Sequence, residues 1–296
     1  CMQVVDLETD VVTAASPAET LPGAEEVRVR VRAMLDAHWQ DKGFTVPNLR
    51  VYPHQWLWDS CFHAIAWAAL GEHDRAVTEL GNVFARQADD GFVPHMTYWL
   101  APDMHAEFWG RRHTSSITQP PMYGHAVAAL VRYGIDVPRS VIDSAEAGLR
   151  FLTERRPFLV HPWESGCDDS PRWDAWCDGG WDPVRWRQVK GELVAGLVLD
   201  PVTRSPVGST RFEVRSAGFD ALVAFNAAEL ADATGRVVEV PPHPGTDDEV
   251  RVGPSGSSRV RTADALLGVL DPAADERVQR LSFAALRDPA QFGGAF

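Results

Sequence analysis

Apolar positions recur along this chain mostly at the three- and four-residue spacing of a helix, and seldom in the strict alternation of a strand. Glu25–Gln40 fits both patterns. Val27, Val29 and Val31 alternate, whereas Val27, Val31, Met34 and Trp39 share a helical face behind an acidic first turn, and helix is the favoured reading. After a loop at Asn48–Pro53, Trp58–Leu70 predicts an apolar helix ended by Gly71. His73–Gln87 predicts an amphipathic helix with Ala76, Leu80, Val83 and Phe84 on one side. Met122–Tyr133 and Arg139–Thr153 add two more behind Pro-containing loops, and Trp186–Leu199 another. Phe219–Thr234 is the clearest helix of all, stopped by Gly235. Pro241–Ser258 reads as a loop, and Arg261–Leu270 and Asp275–Leu286 as closing helices; strand signals are confined to Phe212–Val214 and Val237–Val240. Residues 1–24 read as a loose leader. Helices alternating with long, Trp-bearing loops suggest paired helices in a bundle or toroid, with the chemistry in the loops at one end.

Composition narrows the classes. With 296 residues and 45% hydrophobic positions, the chain can bury a substantial core as one large domain or two modest ones. Its 41 Asp+Glu against 28 Lys+Arg give a net charge of −13, which argues against nucleic acid or an anionic membrane as partner. The longest apolar run, Cys61–Leu70, is too short to span a bilayer and contains His63. No signal-peptide pattern is visible. Cysteines at 1, 61, 167 and 177 form no CxxC pair, so neither a disulfide framework nor a zinc site is expected, and a reducing cytoplasm is the default.

Eleven Trp change the picture, because five of them (Trp163, Trp173, Trp176, Trp181 and Trp186) crowd one segment among Asp, Glu, Gly and Pro. Flat rings stack on the apolar face of a pyranose while carboxylates hold its hydroxyls, so the segment suggests a sugar cleft; the alternative is plain core. Three loops mix aromatic and polar residues just ahead of helices: Tyr52–Asp59, Thr114–Pro121 and Trp163–Asp174. The first also fits an Asp59 N-cap beneath packed Trp, and the second an ordinary Pro-set loop with Gln119 exposed. The third carries five carboxylates between Glu164 and Asp178. It could be a calcium loop, although the D-x-[DN]-x-[DN]-G spacing is missing. It could be a solvated acidic turn, or a general-acid loop in which a carboxyl beside indole rings and other carboxylates keeps its proton, as protonating a glycosidic oxygen requires.

Four segments, YPHQWLWDSCFHAI (52–65), DGFVPHM (90–96), SITQPP (116–121) and WESGCDDSPRWD (163–174), resemble in order those of the glucosylglycerate/mannosylglycerate hydrolases of glycoside hydrolase family 63. The resemblance covers roughly residues 30–296, weaker after 190, and ESG-x-D-x-S-x-RW is its most specific part. It implies an all-α (α/α)6 toroid and an inverting hydrolase of a small α-glucoside or α-mannoside, with no cofactor and no metal. By motif it implies Asp168 as general acid, Trp58 and Asp59 as the grip on the sugar with Tyr52 and Trp56 nearby, Gln119 on a hydroxyl, and Trp163 and Gly166 lining the pocket. His95 and Arg215 match more loosely; VRSAGFD departs from the RPSD-like pattern around Arg215, which puts glycerate recognition in doubt. The general base of such enzymes is a Glu in the last part of the domain, and their chains continue past this point into a YWRGP-like segment. Neither is found, so residues 25–296 are expected to be the N-terminal two-thirds of the toroid. A second polypeptide segment or an oligomer is then expected to complete the ring. The competing reading is a non-catalytic carbohydrate-binding remnant that lacks the base.

Overall fold

The computed structural model describes residues 23–177, 181–241, 250–252, 256–258 and 262–288. Of the leader expected over 1–24, residues 1–22 lie outside these, as do Asp178 and the last residues from 289, and Ala24 already opens the first helix. Helix α1 (Ala24–His38) ends in strand β1 (Trp39–Gln40), which pairs antiparallel with β2 (Phe44–Thr45). β3 (Gln55–Trp56) runs directly into α2 (Leu57–Ala69), followed by α3 (His73–Phe84) and by β4 (Met96–Thr97), the partner of β3. A short α4 (Ala106–Trp109) precedes α5 (Tyr123–Arg132) and α6 (Arg139–Arg150). After α7 (Pro183–Val194) come the pair β5 (Leu197–Leu199) and β6 (Pro206–Ser209), then β7 (Val214–Arg215) and the long α8 (Ala217–Thr234). β8 (Val250–Val252) pairs with both β7 and β9 (Gly256–Ser258), and a 3-10 segment at Ala263–Leu270 leads to α9 (Glu276–Arg287). With strands of only two to four residues, the architecture is all-α.

The helices form where apolar residues fall at helical spacing. On α2, Leu57, Cys61, Ala64, Trp67 and Ala68 are buried; on α3, Ala76, Leu80, Val83 and Phe84. Gly71 and Gly235 adopt left-handed φ of 82° and 75° at the ends of α2 and α8, as their positions predict. The Asp182 side chain caps α7 by accepting from Val184 N at 3.0 Å and Arg185 N at 2.8 Å. α2 with α3, and α5 with α6, make αα-hairpins; α2 also packs on α5, and α5 on α8. The α5–α8 approach is close because Gly124 lacks a side chain: a Cβ there would stand 2.3 Å from the Asn226 carbonyl oxygen.

Several expectations need correction. Residues 197–199, read as the end of a helix, turn into β5 because Gly196 breaks the segment and β6 supplies ladder partners. Pro241–Ser258, read as a loop, contains β8 and β9. Val237–Val240 forms no strand, and Phe212–Val214 yields strand only from Val214. Asp59 is not an N-cap: α2 starts two residues earlier and Asp59 lies in its first turn. Among the described residues no helix is long and apolar enough to cross a membrane.

Candidate active site

Three loops are stitched together at one end of the helices. β3 and β4 pair Gln55 with Thr97 and Trp56 with Met96, and Thr97 bridges Thr114. Leu57 N donates to His95 O at 2.9 Å, and His95 N to Ile117 O at 2.8 Å, so the loops at 52–56, 95–98 and 114–118 form one sheet-like patch. The third loop is locked on by Glu164, which is fully buried. Its carboxylate accepts from Thr118 N at 3.0 Å, Val160 N at 2.8 Å and Arg156 Nη1 at 2.7 Å. Two backbone donors and a cation thereby meet the carboxylate's lone pairs, which makes a buried charge tolerable.

These loops enclose a cavity of about 870 Å³, within the range of small-molecule sites. Its walls are aromatic: Tyr52, Trp56, Trp58, Tyr98, Phe108, Trp109 and Trp163. Gly166 makes the close wall possible. Its backbone sits at φ 72°, and an added Cβ would lie 2.7 Å from the Trp58 ring. The Gln119 carboxamide oxygen accepts from Trp58 N at 3.2 Å, which orients the amide on the wall. His95 is buried between the rings of Trp56 and Trp109, with centroids 5.2 and 5.5 Å away, and its Nδ1 meets Ser115 Oγ at 2.5 Å. Burial holds its pKa at about 3, so the imidazole is neutral.

Asp168 lines this cavity and is exposed to solvent. The surrounding protein penalises its charged form and lifts its pKa to about 6; Asp169 adds to the rise and Lys190 opposes it. Asp59 is also raised, chiefly by desolvation, with His63 opposing.

The structure gathers Tyr52, Trp56, Trp58, His95, Gln119, Trp163, Gly166 and Asp168 around one cavity. It does not bring two other expected residues to that wall. Asp59 lies in the first turn of α2, where the charges of His63 and Glu79 act on it, and Arg215 is held through Nε and Nη2 to Asp220 Oδ2 at 2.9 and 2.7 Å. The Trp cluster is mostly core: Trp173 and Trp186 are buried, Trp176 packs on Phe212, and Trp181 is exposed away from the cavity lining. Met96, Tyr98, His105, Phe108, Trp109, Cys167, Asp169 and Ser170 complete the wall unpredicted. The aromatic and His content of YWLAPDMHAEFWG (98–110) was a usable signal, but the segment has no period that marks it as an element. Among the described residues no group of three or more His, Cys, Asp or Glu could hold a metal ion.

Residues 52–241 match the family described as Mannosylglycerate hydrolase MGH1-like glycoside hydrolase domain. The chain belongs to this family. Within the MGH1-like glycoside hydrolases it is 35% identical over 179 residues to the mannosylglycerate hydrolase of Rubrobacter radiotolerans, covering 52% of this chain and 40% of that protein. It is 34% identical over 156 residues to the glucosylglycerate hydrolase of Mycolicibacterium hassiacum, covering 42% and 35%. The chain thus aligns with about two fifths or less of these curated relatives' length. The crystal structure of the GH63 mannosylglycerate hydrolase from Thermus thermophilus with Tris and D-glycerate superposes with a TM-score of 0.67 at 23% identity, over 88% of this chain and 77% of that one. The MGH1-like chain shares the toroid glycosidase fold of that enzyme.

Proposed function

We propose that residues 25–296 belong to the catalytic domain of an inverting glycoside hydrolase that acts on a small α-glucoside or α-mannoside. Asp168 donates the proton to the leaving oxygen. The observation that carries the reading is a carboxyl with a pKa of about 6 on the wall of an aromatic cavity, since a donor must keep its proton at working pH. Trp56, Trp58 and Trp163 offer ring faces to the apolar side of a pyranose, and Gln119 and His95 offer hydrogen bonds to its hydroxyls. Relatives named for mannosylglycerate and glucosylglycerate support those glycosides as the first substrates to test.

Inversion needs a second carboxyl about 6.5–9.5 Å from the acid, with room between for water. Among the described residues the wall holds Asp168 and Asp169 only, and Asp169 adjoins the acid in the chain, so we assign the base to neither. We propose that a second segment or an oligomeric partner supplies it and completes the ring. Free thiols at Cys61 and Cys177 support a reducing compartment, the cytoplasm.

Asp168→Asn, tested alongside wild type on mannosylglycerate, glucosylglycerate and a glycoside with an activated leaving group, should lower turnover of the natural substrates by roughly 10²–10⁴-fold. Calorimetric sugar binding should persist. Near wild-type turnover in the variant would remove the assignment, and binding without turnover in wild type would favour a carbohydrate-binding remnant.

A further inference from the structure

The second carboxylate of the acid loop has a built environment that the proposed reaction leaves unused. Asp169 Oδ1 receives Lys190 Nζ at 2.7 Å and Trp186 Nε1 at 2.9 Å; the same indole N–H also lies 3.0 Å from the Asp168 carbonyl oxygen. The Lys190 side chain is only 12% exposed. Its ammonium lies over two rings, 5.7 Å from the centroid of Trp186 and 5.9 Å from that of Trp163. One turn of α7 therefore grips the loop twice, by the buried Trp186 and by the sheltered Lys190. His161 secures the helix in turn, its Nε2 donating to Lys190 O at 2.8 Å.

We propose that Lys190 and Asp169 are a positioning pair for the acid: together they fix the loop that carries Asp168 and set two charges of opposite sign near its carboxyl. The inference rests on the reading of Asp168 as proton donor, and it extends that reading to residues on α7 and beside the acid.

Lys190 and Asp169 are the two charges that act on the Asp168 carboxyl. His95 is neutral and Tyr98, pushed up to about 12 by burial, keeps its proton; Tyr52, His105 and Cys167 line the same wall. Lys190 opposes the rise at Asp168 and Asp169 adds to it. Removing one partner must therefore move the acid in one direction, and removing the other must move it the opposite way. A purely structural brace would not produce opposite signs. Asp169 is largely exposed, so salt should weaken its effect.

The test is direct titration of the Asp168 carboxyl by carbon NMR on protein labelled with ¹³C-aspartate, the signal assigned by its loss in Asp168→Asn. Lys190→Met should raise the midpoint and Asp169→Asn should lower it, each by on the order of one pH unit. The double variant should fall between the two single variants, and Lys190→Arg should stay close to wild type. Circular dichroism identifies any variant that fails to fold, in which case Lys190→Gln and Asp169→Ser replace it. Shifts of the same sign, or a midpoint that neither variant moves, would overturn the proposal. Because the readout needs no turnover, it stands apart from the test of the proton donor itself: retained hydrolysis by Asp168→Asn sinks that reading, whatever the titration shows.

Discussion

At the residue scale the site depends on an atom that is absent. Gly166 combines a left-handed backbone with the Trp58 ring pressed against its Cα, so both the conformation and the space exclude a side chain. The Trp58 backbone N–H is engaged by Gln119, and its ring centroid lies 6.2 Å from that of the exposed Phe62. Gly166→Ala should therefore cost about 1–3 kcal/mol in stability, from strain at φ > 0 and from the clash. It should also weaken sugar affinity more than a remote surface substitution, because relieving the clash shifts a wall of the cavity. Chemical denaturation and calorimetry on the same preparation check both effects; unchanged stability with unchanged affinity would show that the contact is not tight. ESG in the acid motif is legible in physical terms: Glu holds the loop, Ser165 turns it by donating to Pro162 O at 2.7 Å, and Gly lets Trp58 close on it.

At the scale of elements, Glu164 decides whether the loops form one site. With Arg156 it is a fully buried ion pair, and it also receives one backbone N–H from each of two loops. Such a pair adds little over a hydrophobic substitute, but removing one member strands the other charge. Glu164→Ala should thus destabilise the fold by about 3–5 kcal/mol and loosen the 114–121 loop against the acid loop. Glu164→Gln should fall between, since its amide nitrogen would face donors. Denaturant melts with amide exchange at Thr118 and Val160 check this; protection that survives in Glu164→Ala would mean that the loops are held elsewhere.

Helices proved more legible than strands or site. α3 announces itself through spacing and α8 through the Gly235 that stops it, whereas β5, β8 and β9 are three-residue pairings that no strand pattern in the sequence marks. Clustering in sequence likewise misled for Trp173 and Trp186, which turn inward from the same segment that sends Trp163 to the cavity. Motif order placed Asp168 on a loop that lines the cavity, but the contacts of its neighbour Asp169 with Lys190 and Trp186 depend on α7, a helix away in sequence.

For the molecule as a whole, burial pulls pH dependence in two directions. His95 and His161 are held neutral with pKa near 3, by desolvation first, and His161 shows it directly: Nδ1 accepts from Trp163 N while Nε2 donates to a carbonyl. Their folded values lie below the ordinary 6.5, so the stability they confer is complete above about pH 6.5 and is lost as pH falls from there toward 3. Between those limits the unfolded chain binds one more proton per histidine, which gives a slope of about 1.4 kcal/mol per pH unit for each. Asp168 runs the other way. Raised to about 6, it penalises the fold above that pH and releases the penalty as pH falls toward 3.8, an effect screened by its access to water. Asp59, raised by burial as well, adds to that opposing trend, but the two fully enclosed histidines outweigh these two carboxyls, so the melting temperature should drop from pH 7 to pH 4.5. Replacing His161 by Asn should remove about half of the histidine slope while lowering stability at pH 7 through lost packing. Thermal melts across that range decide: a wild-type profile flat between pH 6.5 and 4.5, or an unchanged slope in His161→Asn, would show that these imidazoles take up protons in the folded state. In the proposed reaction Asp168 would hold its proton only below about pH 6, while the scaffold around it weakens as acidity increases.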